Sequence, residues 1–85
     1  MSIYGHQLQV LGILSKNLHN PQPQLVPTAA ISEEMDIQLP KLRLVLNTMN
    51  AMGLIQTNTD LQYNLITRKG LNYLCEQHVY VPNHF

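Results

Sequence analysis

The chain has 85 residues, enough for one domain of thin stability, since a domain this small buries only about 60% of the surface its unfolded chain exposes. Apolar residues make up 45% of it and charged residues 12%, which excludes a disordered segment, and no apolar run approaches the ~18 residues of a membrane span. Formal net charge is zero, so bulk electrostatics does not by itself point to nucleic acid.

The first predicted helix runs from Ile3 to Leu18. At 100° per residue, Tyr4, Leu8, Leu11, Leu14 and Leu18 form one apolar stripe. Ile3, Val10 and Ile13 widen it to about 220°, where a helix with one buried face needs only about 100°. The excess predicts packing on two sides, within the domain and against a second copy. The other way to cover it is the C-terminal segment folding over that side. Asn20-Pro21-Gln22-Pro23 ends the helix, because proline lacks an N–H and turns its predecessor away from helical angles.

Leu25-Val26 is a short extended piece broken by Pro27, and Thr28 is the expected N-cap of a helix over Ala29 to Met35 that buries Ile31 and Met35. Asp36-Ile37-Gln38 makes a tight turn. The next helix starts at Leu39 or Pro40, since proline suits a first helical turn, and runs to Met52 with Leu42, Leu46 and Met49 inward. Gly53 ends it as a glycine just past a helix can. A hairpin follows: strand Leu54 to Thr57, turn Asn58-Thr59-Asp60, and strand Gln62 to Ile66, whose alternation of polar and apolar residues marks one buried face. Thr67 caps a last helix, Arg68 to His78, with Leu71 and Leu74 inward. Residues 1–78 are read as the domain. The apolar tail at residues 79–85 is expected to pack on it or across a dimer.

The order helix, short strand, helix, turn, helix, hairpin, helix is the plan of the winged helix-turn-helix domain, and two segments carry a closer resemblance. Leu42 to Ile55, ending Met52-Gly53-Leu54-Ile55, resembles a recognition helix running into the first wing strand of bacterial regulators. Tyr63 to Leu71, with Thr67-Arg68-Lys69-Gly70, resembles the segment by which they leave the wing. MarR-, ArsR- and PadR-type regulators share such segments. The resemblance implies a mainly α fold with a small β-hairpin wing: a three-helix core, a sheet of two or three strands and a C-terminal helix. It also implies a transcriptional regulator that binds duplex DNA, with the helix around 39–52 in the major groove.

Carried over by position, Gln38, Lys41, Arg43 and Asn47 face the DNA, Asn58 and Thr59 approach the minor groove, and Arg68 and Lys69 meet backbone phosphate. Arg43 suits guanine, Gln38 or Asn47 suits adenine, and Lys41 suits a phosphate. Residues 37–75 carry Lys41, Arg43, Arg68 and Lys69 against Asp60, whereas residues 1–36 carry Lys16 against Glu33, Glu34 and Asp36. Three features point the other way. The wing tip carries an acid and no cation, Leu39 and Leu44 stand where DNA-binding members usually have polar residues, and the chain is neutral. The alternative is a winged-helix module that binds another protein through Leu39 and Leu44.

No chemistry for catalysis or a cofactor emerges. Cys75, His78 and His84 supply only three of the four ligands of a structural zinc site, and Cys75 reads as a small buried apolar residue. Cys75 has no evident base and orienting group for a nucleophilic role. Glu33 and Glu34 point about 100° apart on a helix and make a poor catalytic pair. His6 and His19, near the ends of the first helix, read as solvent-facing or interface residues. With one cysteine and no signal-peptide pattern, a soluble cytoplasmic protein is expected, most simply a homodimer.

Overall fold

The computed structural model describes residues 3–18 and 25–78. The proline break at residues 20–23, the tail at 79–85, and His19 and His84 lie outside them, as do the side chains of Ile3, Tyr4, Gln77 and His78. In chain order the elements are α1 (Ile3–Asn17), β1 (Val26–Pro27), α2 (Thr28–Met35), α3 (Leu39–Ala51), β2 (Ile55–Thr57), β3 (Tyr63–Ile66) and α4 (Arg68–His78). No described helix is long and apolar enough to cross a membrane.

One core joins the helices to the sheet. Val10, Leu11 and Leu14 of α1 meet Ile31 of α2, Leu42, Val45, Leu46 and Met49 of α3, then Leu54, Ile55 and Ile66 from the sheet, all buried. Leu71, Tyr73 and Leu74 pack on this cluster from α4, which lies against α1. Part of the surplus apolar arc of α1 is therefore covered within the chain by α4, while Leu8 and Ile13 stay half-buried.

The sheet has the order β1-β3-β2, all antiparallel. Val26 pairs with Asn64 and Ile55 with Ile66. Pro27 is tolerated because β1 is an edge strand, where a missing N–H breaks no ladder. The alternation in β3 is present, but its phase is inverted. Asn64 and Ile66 point inward, and Tyr63 and Leu65, the apolar members of the alternation, lie on the outer side, exposed and half-buried.

Asn64 tolerates this place because its amide is engaged. Its Nδ2 donates to the Val26 carbonyl (3.1 Å) and to Thr28 Oγ1 (2.8 Å). That arrangement also corrects the reading of Thr28. The N-cap of α2 is Pro27, and Thr28 is the first helical residue. The threonine hydroxyl donates to the Leu61 carbonyl (2.6 Å), and its N–H donates to the Gln62 carbonyl (2.8 Å). A residue type suited to local capping is here used to tie α2 to the wing.

The exit of α3 is built as expected, and more tightly. Gly53 has φ 81°, its N–H donates to the Asn50 carbonyl (3.0 Å), and the Leu54 N–H donates to the Met49 carbonyl (3.0 Å). Those two bonds are the Schellman closure. Thr67 caps α4, accepting from the Gly70 N–H (3.0 Å), and its hydroxyl reaches the Gly53 and Leu54 carbonyls. Gly70 is required by close approach, since a Cβ there would lie 2.1 Å from the Leu54 carbonyl oxygen.

Candidate nucleic-acid interface

Helix α3 enters after an extended Gln38 (φ −70°, ψ 145°) whose side chain makes no cap bond. The turn before it is shaped by Asp36 in the left-handed region (φ 55°), which a short polar side chain tolerates. Ser32 reinforces that turn, its hydroxyl donating to the Ile37 carbonyl. Pro40 occupies the first helical turn, where its missing N–H breaks no intrahelical bond.

Leu42, Val45, Leu46 and Met49 define the buried side of α3. At 100° per residue, Pro40, Leu44, Asn47 and Ala51 lie opposite them, on the line pointing straight out, and all four are exposed. Lys41 and Arg43 lie roughly 80° to either side of that line. Both are exposed, and α3 contains no acidic residue.

The wing stands beside one flank. A cleft of ≈ 250 Å³ is lined by Leu39 and Arg43 of α3 and by Leu61, Gln62 and Tyr63 of the wing. The wing tip is closed by Asn58, whose Oδ1 accepts from the Gln62 N–H (2.7 Å) and the Tyr63 N–H (3.0 Å). Leu61 sits at φ 57°, a conformation that costs a non-glycine residue about 1–2 kcal/mol. Its N–H donates to the Asn58 carbonyl (2.9 Å), and its own carbonyl accepts from Thr28, so the strain is held from both sides.

The residues singled out in the sequence are all at the surface, but they are not all together. Gln38, Lys41, Arg43 and Asn47 share the entry half of α3, and Asn58 and Thr59 lie in the wing turn. Asn58 is partly committed to the turn, which leaves its Nδ2 as the free end. Lys69 lies elsewhere. A Cβ built on Gly53 would stand 3.6 Å from Lys69 Cδ and 3.8 Å from its Nζ, which puts this cation at the exit of α3, about 20 Å of helix away from its entry. There the ammonium faces the negative end of the helix dipole. Leu39 and Leu44 are 38% and 70% exposed, but five residues of helix turn them about 140° apart, Leu39 toward the wing cleft and Leu44 outward.

The wing residues Leu61, Gln62 and Tyr63 escape the sequence reading. Nothing in a leucine announces a left-handed backbone, and Tyr63 reads as an inward strand residue. Cys75 is also corrected, being exposed, because it lies on the side of α4 turned from the core. Among the described residues no three His, Cys, Asp or Glu side chains gather to hold a metal ion.

Comparison with protein-family models and with curated proteins finds no match. Among solved structures, the chain is similar to ZitR of Lactococcus lactis, determined as a cysteine-to-serine mutant. The TM-score is 0.66 at 18% identity, over 89% of this chain and 50% of that one. The fold is a winged helix. This chain spans half the length of ZitR, and at that identity the likeness is one of architecture. In winged-helix terms α2 and α3 are the helix-turn-helix pair, and β2 with β3 is the wing.

Proposed function

We propose that this winged-helix chain is a DNA-binding transcriptional regulator that seats α3 in the major groove of duplex DNA. The observation that carries the reading is the outward side of α3, which is solvent-exposed, flanked by Lys41 and Arg43, free of acidic residues and bordered by the wing. A helix of this diameter fits the major groove, about 12 Å wide. Lys41 and Arg43 then lie toward the two phosphate walls, with Gln38 and Asn47 available to base edges. Asn58 and Thr59 at the wing tip approach the neighbouring minor groove, while Arg68 and Lys69 engage backbone farther along.

A cytoplasmic homodimer completes the reading, through α1, with Leu8 and Ile13 half-buried, and the C-terminal segment. Two recognition helices would then address half-sites about 34 Å apart. Fluorescence anisotropy with a mixed-sequence duplex, begun at low salt and repeated as salt rises, tests the reading. Affinity is expected to fall linearly in log–log form, and the Lys41→Ala, Arg43→Ala double variant to reduce that slope by about 2 per protomer. Absence of binding at about 100 micromolar protein in low salt would overturn it, since generic duplex affinity reaches that range.

A further inference from the structure

Leu44 is 70% exposed, more than Leu25, Leu39, Met52 or Tyr63, the other large apolar side chains at the surface of the described residues. It lies midway along α3 on the outward line, between Pro40 one turn before and Asn47 one turn after, with Ala51 beyond. That line carries no charge. The cations sit to its two sides, Lys41 on one flank and Arg43 on the other, by the wing cleft.

This pattern matches the cross-section of a major groove. The walls are anionic phosphate, which suits flanking cations, and the floor presents base edges. On that floor guanine, cytosine and adenine offer hydrogen-bonding groups, while thymine alone adds an apolar one, its C5-methyl. A leucine set over the first three would remove water from polar atoms without replacing its hydrogen bonds. Over thymine it covers a methyl group and removes its own apolar surface from water.

Resting on the duplex-binding reading above, we infer that the outward line of α3, centred on Leu44, reads thymine C5-methyl groups. Asn47, next on the same line, has the donor and acceptor pair that fits adenine N6 and N7. The half-site is therefore A·T-based beneath the middle of α3, and Leu44 is its specificity-determining residue. Phosphate attraction is left to Lys41 and Arg43.

The test selects a duplex from a randomised pool with the wild-type protein. The selected duplex is then remade with deoxyuridine in place of each thymine in turn, which removes the methyl and keeps every hydrogen-bonding group. Wild-type protein is expected to bind about fourfold more weakly for each contacted methyl removed. Leu44→Ala is expected to bind the thymine and deoxyuridine forms equally, with the wild-type salt slope and an unchanged melting curve. Equal binding of both forms by wild type would overturn the inference and leave duplex binding standing. So would a thymine preference that survives in Leu44→Ala, or wild-type affinity in that variant, which would hand the leucine to a protein contact. Failure to bind any duplex would overturn both this inference and the reading beneath it.

Discussion

At its exit α3 is held by the Schellman bonds of Gly53 and Leu54, by the Thr67 hydroxyl on two carbonyls, and by Gly70 pressed against the Leu54 backbone. At its entry the same helix has an extended Gln38 without a side-chain cap, a proline in the first turn, and Leu39, Lys41, Arg43 and Leu44 in solvent. One end is over-determined by its own chain, whereas the other holds Lys41 and Leu44 out in solvent and sets Leu39 and Arg43 along the wing cleft. The fold is thus anchored where the chain must turn into the wing, and this rigid corner holds out a surface whose side chains are free to meet something else. Mutations at the two ends should therefore separate stability from binding.

The largest loss is expected from Gly70→Ala. Its Cβ would meet backbone, not a yielding side chain, so α4 must shift away from the corner. The expected cost is about 3 kcal/mol or more by urea denaturation. That is a large share of the 5–15 kcal/mol typical of a folded domain. A variant as stable as wild type would show that the corner is not anchored by this contact.

Next comes Asn64→Leu, which keeps the number and branching of the side-chain heavy atoms, adds some bulk, and removes the amide that joins β1, α2 and β3. The Val26 carbonyl and Thr28 hydroxyl lose a donor, and a cost of about 2 kcal/mol is expected from the same denaturation series. Asn64 Oδ1 and the paired Thr57 Oγ1 are both buried without a hydrogen-bond partner among the described residues. That leaves the acceptor side of this amide with little to lose, and the whole cost falls on Nδ2.

Thr67→Ala should cost about 1 kcal/mol, the ordinary worth of an N-cap, plus whatever its bonds to the Gly53 and Leu54 carbonyls add. The smallest stability effect is expected at the entry. The Lys41→Ala, Arg43→Ala double variant should melt within about 0.5 kcal/mol of wild type, because both side chains are exposed and alanine favours helix. A clear loss of stability there would erase the contrast between the two ends.

Residue chemistry made much of this architecture legible. The breaks at Pro27 and Gly53, the apolar spacing of α3 and the Asn58–Asp60 turn depend on local rules, and each recurs in the structure within a residue or two. Val45 joins the buried side of α3 unannounced, but Leu42, Leu46 and Met49 had already fixed which side that is. The exposure of Lys41, Arg43, Leu44 and Asn47 follows from the same periodicity.

Long-range partners decided the remainder. Thr28 satisfies every local criterion for a cap, yet the wing, 33 residues on, takes its hydroxyl. Asn64 breaks the rule that polar strand residues face water, because two acceptors from β1 and α2 meet its amide inside. Leu61 is held in a left-handed backbone partly by its own turn, where its N–H meets the Asn58 carbonyl, and partly by Thr28, 33 residues away, whose hydroxyl donates to its carbonyl. Lys69, grouped in sequence with the other cations, is carried by the corner to the far end of α3. The sequence alone determined the helices, the turns and the outward side of α3, since backbone angles and apolar periodicity act within a few residues. Only the tertiary structure decided which buried polar groups found partners and which exposed groups share a surface, because those depend on distances between segments far apart along the chain.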